Sequence, residues 1–139
     1  MKTLVLGSTG LLGQAVAEEA RRRGHLLGEA ARRNAPIALD IADEEALCKT
    51  LEAEKPDLVF NCAALSEIDA CERAPLDAWN MNARPLAFLA AWARESGGKL
   101  IHVSTDQYFT EGGKQPHDET APVSFVNEYA RTKFAGEGF

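Results

Sequence analysis

The sequence predicts a doubly wound α/β domain, a parallel sheet with helices on both faces, and three observations carry that prediction. Short apolar runs alternate along the chain with longer stretches of helical spacing. The apolar runs are continuous rather than alternating with polar residues, as strands covered on both faces must be. The first run ends in a glycine-rich turn, Gly7-Ser8-Thr9-Gly10-Leu11-Leu12-Gly13, that opens directly into the first helical pattern.

Each element has its own signal. Lys2 to Leu6 is a Val- and Leu-rich strand that Gly7 ends. Leu11 to Arg23 has helical spacing; three arginines suit its C-terminus, and Gly24 stops it. His25 to Ala31 and Ile37 to Ile41 are the second and third strands. Ala42 to Glu54 is a charged amphipathic helix closed by Lys55-Pro56. Asp57 to Ala63 is the fourth strand, and Lys99 to Ser104 the fifth. Between them Asp77 to Ser96 reads as one long helix, closed by Gly97-Gly98. Pro85 lacks an N–H for the backbone ladder, so a kink is predicted there. A loop from Thr105 to Val126 contains Gly112, Gly113, Pro116 and Pro122, and a last helix starts near Asn127. No repeat, low-complexity tract or linker interrupts residues 1–139, which read as one domain of Rossmann type with strand order 3-2-1-4-5.

Composition narrows the function classes. The 139 residues are 45% apolar and 26% charged, which excludes collagen-like, disordered and disulfide-scaffold chains. Fifteen Lys and Arg against 21 Asp and Glu give a net charge of -6, a poor match to the phosphate backbone of nucleic acid. A local nucleotide site is untouched by that argument. Cys48, Cys62 and Cys71 form no Cys-x-x-Cys pair and no zinc spacing, so reduced thiols and no metal site are expected. No apolar run approaches the roughly 20 residues that span a bilayer. The N-terminus reads as a strand and turn rather than a targeting signal, so the chain reads as cytoplasmic.

The glycine turn carries chemistry. A chain that turns sharply, brings its backbone against a pyrophosphate and packs a helix closely on a strand needs small residues at these points. The helix N-terminus then offers free N–H groups and the positive end of its dipole. Gly7 to Gly13 follow the spacing G-x-x-G-x-x-G. An acid at the end of the second strand would hold a ribose 2′-hydroxyl, and Glu29 is the candidate. Arg32 and Arg33 follow directly and suit a 2′-phosphate, which favours NADP(H), with NAD(H) as the alternative. Asp40 and Ile41 end the third strand where an adenine would lie. Asp40 suits either the adenine amine or a cap on the helix from Ala42.

Tyr129 and Lys133 lie four apart on one helix face. An ammonium beside a phenol favours the phenolate, lowering its pKa from about 10 toward the range useful for proton exchange. His25, His102 and His117 show no catalytic spacing, and His102 reads as a satisfied core residue. Asn82 suits a capping role.

Taken in chain order, the glycine turn, Asn61-Cys62-Ala63-Ala64, Ser104-Thr105-Asp106 and Tyr129-Ala130-Arg131-Thr132-Lys133 resemble the extended short-chain dehydrogenase/reductases. Within that family the chain is most similar to the dTDP-4-dehydrorhamnose reductases. Ile68-Asp69-Ala70-Cys71-Glu72, Ser104 to Asp106 with Phe109, and Lys133-Phe134-Ala135-Gly136-Glu137 carry that likeness. Gln107-Tyr108, Ala130 and the stretch from Thr110 to Lys114 depart from the pattern. The resemblance implies an NAD(P)H-dependent reductase of a nucleotide-linked 4-keto-6-deoxysugar. Its catalytic residues would be Thr105, Tyr129 and Lys133. Its cofactor contacts would be Gly7, Ser8, Thr9, Gly10, Leu11, Leu12, Gly13, Arg32, Asp40, Ile41, Cys62, Ala63, Ala64, Tyr129 and Lys133. The regulatory beta subunit of methionine adenosyltransferase resembles the same reductases, so a non-catalytic NAD(P)-binding regulator or redox sensor is the alternative. A helix-mediated interaction module is a third. Family members are about twice this length, so this chain is expected to hold most of the cofactor cleft and to lack the C-terminal substrate region. Apolar surface at the fifth strand and last helix then points to a homo-oligomer.

Overall fold

The computed structural model describes residues 1–109 and 116–139. Five parallel strands, β1 (Lys2–Leu6), β2 (Leu26–Ala31), β3 (Ile37–Ala38), β4 (Leu58–Asn61) and β5 (Lys99–His102), form one sheet in the order β3-β2-β1-β4-β5. The expected architecture is therefore present. The helices are α1 (Leu11–Arg22), α2 (Glu44–Glu54), α3 (Ile68–Arg73), α4 (Pro75–Asn82), α5 (Arg84–Ser96) and α6 (Glu128–Glu137). β1 is central because it is buried on both faces: Leu4, Val5 and Leu6 are all fully buried. The core joins Leu4, Leu6 and Val59 of the sheet to Leu47 and Leu51 of α2 and Leu86 and Leu89 of α5.

β1 has the predicted bounds, and the other four strands are shorter than their apolar runs, most of all β3, which pairs only Ala30 with Ile37 and Ala31 with Ala38. Asp40 does not cap α2. Its Oδ1 accepts from Ala42 N at 3.0 Å in a tight turn, and Asp43 is the cap, accepting from Ala46 N at 3.0 Å. The predicted helix from Asp77 to Ser96 is two helices broken at Ala83. Pro85 lies in the first turn of α5, where a missing N–H costs no intrahelical bond. The chain thus starts a new helix instead of kinking an old one. Helix α3 has only six residues, too few for a periodic pattern to stand out in the sequence. The stretch 110–115, which holds Gly112 and Gly113, lies outside the described residues.

Fully buried Asn82 joins three segments. Its Oδ1 accepts from Leu65 N at 2.8 Å, and its Nδ2 donates to Leu65 O at 3.0 Å and to Thr132 Oγ1 at 3.1 Å. It is a tertiary clamp rather than a helix cap. Next to it, a Cβ on Gly136 would lie 2.8 Å from Asn82 O, so α6 seats against α4 only with glycine there. Asn82→Ala leaves the Leu65 amide and carbonyl unpaired in the interior and should cost about 1–3 kcal/mol. Asn80→Ala on the same helix should cost much less. Urea denaturation of the two variants checks this.

Candidate functional site

The site begins where β1 meets α1, beside the end of β4. Gly7 has φ 74, a left-handed conformation that favours glycine, and its N–H donates to Ala30 O at 2.8 Å. A Cβ on Gly7 would lie 2.7 Å from Ala63 N, and a Cβ on Gly13 would lie 2.1 Å from Gly7 O. Side chains at these points would force the β1–α1 turn off the β4 end and α1 off the turn. No side chain caps α1, whose N-cap is Gly10. The Ser8 hydroxyl is buried with no hydrogen-bond partner among the described residues. Leu11 is 95% exposed. Uncapped donors, an orphaned hydroxyl and a turn kept bare of side chains fit an anionic group such as a dinucleotide pyrophosphate.

A cleft of about 520 Å³ opens over this turn. Gly7, Thr9 and Gly10 form one wall, and Cys62, Ala63 and Ala64 follow from β4. Ile41 and Leu39, both buried, line it beyond the short third strand, with Arg32, Arg33 and Asn34 on the β2 side. Eight predicted residues therefore share one cleft: Gly7, Thr9, Gly10, Arg32, Ile41, Cys62, Ala63 and Ala64. Ser8 and Gly13 are buried within the turn, and Leu11 and Leu12 stand exposed at the head of α1. Exposed Asp40 is turned to Ala42 N and does not line the cleft. Glu29 sits inside β2 opposite Val5, not at the strand end, and pairs with Arg21. Sequence reasoning missed Asn34, Leu39 and Met81, which also line the cleft. For Asn34 the available signal was the residue type itself, since asparagine tolerates the left-handed φ of 57 that the chain adopts there.

The proposed catalytic residues lie outside this cleft, beyond β4. Thr105 follows β5, and its Oγ1 accepts from Gln107 N at 3.3 Å. Tyr129 and Lys133 occupy successive turns of α6, with Tyr129 half-buried and Lys133 only 2% exposed. Lys133 Nζ donates to Val103 O at 2.5 Å and lies 3.1 Å from His102 Nε2. Neither contact goes to Tyr129. On its other side His102 Nδ1 is 3.2 Å from Asn61 Nδ2, and Asn61 Oδ1 accepts from Ala63 N at 3.2 Å. This row arises from strand register, which pairs Asn61 with His102. Burial pulls Lys133 down to about 8, opposed by Glu137 and Cys62. Burial, with the nearby Lys133 charge, holds His102 at about 4. Burial raises the Cys62 thiol, opposed by Lys133. Further along, Glu137 accepts from Tyr108 Oη at 2.8 Å and from Ser104 Oγ.

The parallel sheet with its glycine turn beside the β1–β4 crossing places the chain in a class, the Rossmann-type extended short-chain dehydrogenase/reductases. More narrowly, it belongs to the RmlD substrate binding domain family, whose model matches residues 1–139. It is 35% identical over 140 residues to a dTDP-4-dehydrorhamnose reductase of Burkholderia thailandensis, covering 99% of this chain and 44% of that protein. It is also 35% identical over 140 residues to methionine adenosyltransferase 2 subunit beta of Danio rerio, covering 98% of this chain and 42% of that one. Among solved structures, the dTDP-4-dehydrorhamnose reductase of Bacillus anthracis in complex with NADP superposes with a TM-score of 0.88 at 26% identity. That match covers 99% of this chain and 49% of the other. The chain thus spans less than half the length of these relatives.

His102 sets a pH dependence. Its ordinary value of 6.5 is held down to about 4 in the fold, so over that window the unfolded chain takes up a proton that the folded chain refuses. Stability contributed by this group is complete above 6.5 and is lost as pH falls through 4. His102→Phe should flatten that part of the decline. Denaturation midpoints of both chains, measured at about pH 7 and about pH 4.5, check it.

Proposed function

We propose that this chain is the cofactor-binding portion of an NADP(H)-dependent oxidoreductase of the dTDP-4-dehydrorhamnose reductase type. It would act, in a complete chain, on a nucleotide-linked 4-keto-6-deoxysugar. The observation that carries the reading is the bare, uncapped turn from Gly7 to Gly13 with its orphaned Ser8 hydroxyl, set under a cleft that Arg32 and Arg33 border. The pyrophosphate would lie on the α1 N-terminus, the adenine against Ile41, and a 2′-phosphate against the arginines. The NADP complex of the Bacillus anthracis relative supports the choice of cofactor.

When bound, the nicotinamide supplies the hydride. Tyr129 then gives its phenolic proton to the substrate oxygen, and the Thr105 hydroxyl holds that oxygen in place. One helical turn from Tyr129, Lys133 favours the phenolate while charged and would also hold the nicotinamide ribose. Asp40 would reach the adenine amine only by leaving its turn with Ala42. The reading extends to self-association through β5, which is an edge strand with Ile101 44% exposed.

A second reading, a non-catalytic NAD(P)-binding regulatory subunit, is favoured by the 35% identity to the methionine adenosyltransferase subunit. The presence of Thr105, Tyr129 and Lys133 supports the enzyme instead.

Calorimetric titration should give tighter binding of NADPH than of NADH. Arg32→Ala combined with Arg33→Ala should weaken NADPH roughly ten- to hundred-fold, as loss of charge-assisted phosphate contacts does, and leave NADH nearly unchanged. Equal affinities in the unaltered chain would refute the NADP preference. In a chain carrying a complete substrate region, Tyr129→Phe should cut turnover of a dTDP-linked keto sugar by orders of magnitude while sparing NADPH binding. Near-normal turnover would remove Tyr129 from the chemistry, and no turnover by the unaltered complete chain would favour the regulatory subunit.

A further inference from the structure

We propose that His102 is the positioning residue of Lys133. On this view Ala63, Asn61, His102, Lys133 and Val103 form one directional hydrogen-bond chain that ties the charge of Lys133 to the backbone of the cleft.

The inference follows from counting donors and acceptors. Ala63 N–H can only donate, so the Asn61 oxygen faces it, at 3.2 Å. That leaves the Asn61 NH2 group facing His102 Nδ1 at 3.2 Å, and an amide nitrogen can only donate. Nδ1 must therefore accept. A neutral ring with a bare Nδ1 carries its proton on Nε2, which points at Lys133 Nζ at 3.1 Å. Nε2–H then needs an acceptor, and Nζ has a lone pair only as a neutral amine. The amine in turn donates to Val103 O at 2.5 Å. One proton arrangement satisfies every group in the row, and in it both His102 and Lys133 are uncharged. A doubly protonated His102 would set an N–H on Nδ1 against the Asn61 NH2 group.

Charging Lys133 breaks the row in a specific way. The ammonium has three donors and no acceptor, so Nε2 must accept and the ring proton moves to Nδ1. There it meets the Asn61 NH2 group. Turning the Asn61 amide cures that clash but sets its NH2 against Ala63 N–H. Wherever the mismatch is moved, it ends at Asn61, which is fully buried, or at Ala63. Other groups bear on the same equilibrium. Glu137 on α6 and Cys62 after β4 favour the charged lysine, burial disfavours it, and Tyr129 lies one turn away on α6. Burial places the midpoint at about 8, so the switch lies in an accessible pH range.

Ala63 lines the 520 Å³ cleft, which gives the chain its consequence. Coupling is reciprocal, so a ligand that settles against Ala63 changes the proton affinity of Lys133 by the same factor as the lysine's charge changes the ligand's affinity. This deepens the proposed function and rests on it in two respects, that the ligand is a dinucleotide and that Lys133 serves Tyr129. The hydrogen-bond chain itself rests on neither.

The test is nuclear magnetic resonance on the whole isotope-labelled 139-residue chain without nucleotide. At about pH 9 the ring nitrogen shifts of His102 should report a neutral imidazole protonated on Nε2. The Ala63 amide should shift with an inflection at the same pH as Lys133 Cε. In His102→Phe, Lys133 should still titrate and Ala63 should no longer follow it. A proton on Nδ1 at about pH 9 would overturn the proposal. So would an Ala63 amide that stays flat through the Lys133 titration, or one that follows Lys133 in His102→Phe. The first two readouts use the unaltered chain and stand even if the variant does not fold. Failure to bind NADPH or NADH would overturn the dinucleotide reading and leave these results as they are.

Discussion

Two backbone crossings set the geometry of this molecule. A Cβ on Gly7 would stand 2.7 Å from Ala63 N, and one on Gly13 would stand 2.1 Å from Gly7 O. The first lets the end of β1 touch the chain leaving β4; the second lets α1 start directly on the turn. Both lie where the sheet order reverses, with β2 on one side of β1 and β4 on the other. Helices leaving opposite faces open a crevice at such a point, and the crevice is where open α/β sheets bind ligands. Larger residues at these two positions would hold β1 and β4 apart and close the cleft's floor. The same crossing leaves the α1 N-terminus without a side-chain cap and the Ser8 hydroxyl buried without a partner. That is an arrangement a fold retains at a cost unless an anion completes it.

A second close approach places the chemistry on the other side of β4. α6 reaches the sheet because Gly136 lets it seat on Asn82 O, and Asn82 ties Leu65 to Thr132. One residue along, Lys133 is carried to the end of β5 and buried against Val103 and His102. The likeness in Lys133-Phe134-Ala135-Gly136-Glu137 thus has a steric content. The glycine is needed for helix contact, and the lysine is needed where that contact delivers it. Glu137 faces the other way, onto Ser104 and Tyr108, and braces the segment after β5. The Tyr108 that departs from the family pattern is therefore a buried packing residue, in edge contact with Phe109 and Phe134.

Much of this was legible in the chain. Continuous apolar runs identify parallel strands because both faces of such strands are covered, and the central run, Lys2 to Leu6, is the most buried in the structure. The glycine turn was legible because only glycine meets its steric demands. Helix breaks were harder to read. Pro85 marks a disruption in any sequence pattern, but whether it kinks a helix or begins one depends on what the preceding residues pack against. Asn82, held by Leu65 and Thr132, ends α4 just before it.

What the sequence by itself determined is the alternation of strands with helices and the identity of the turn, because these follow from local periodicity and from glycine's missing side chain, and the strand order followed from the class of fold that they mark. It also determined that Tyr129 and Lys133 share a helix face, since helical geometry alone sets that spacing. Only the tertiary structure decided what that lysine touches. Asn61 and His102 lie 41 residues apart and have no pattern in common. They meet because β4 and β5 pair in parallel with Asn61 opposite His102, and register between distant strands is not encoded in either strand alone. The same holds for Asp40 and Glu29. Their charges suited a cofactor, but a turn and a neighbouring arginine claimed them, because a hydrogen bond goes to whichever partner the folded chain brings within reach.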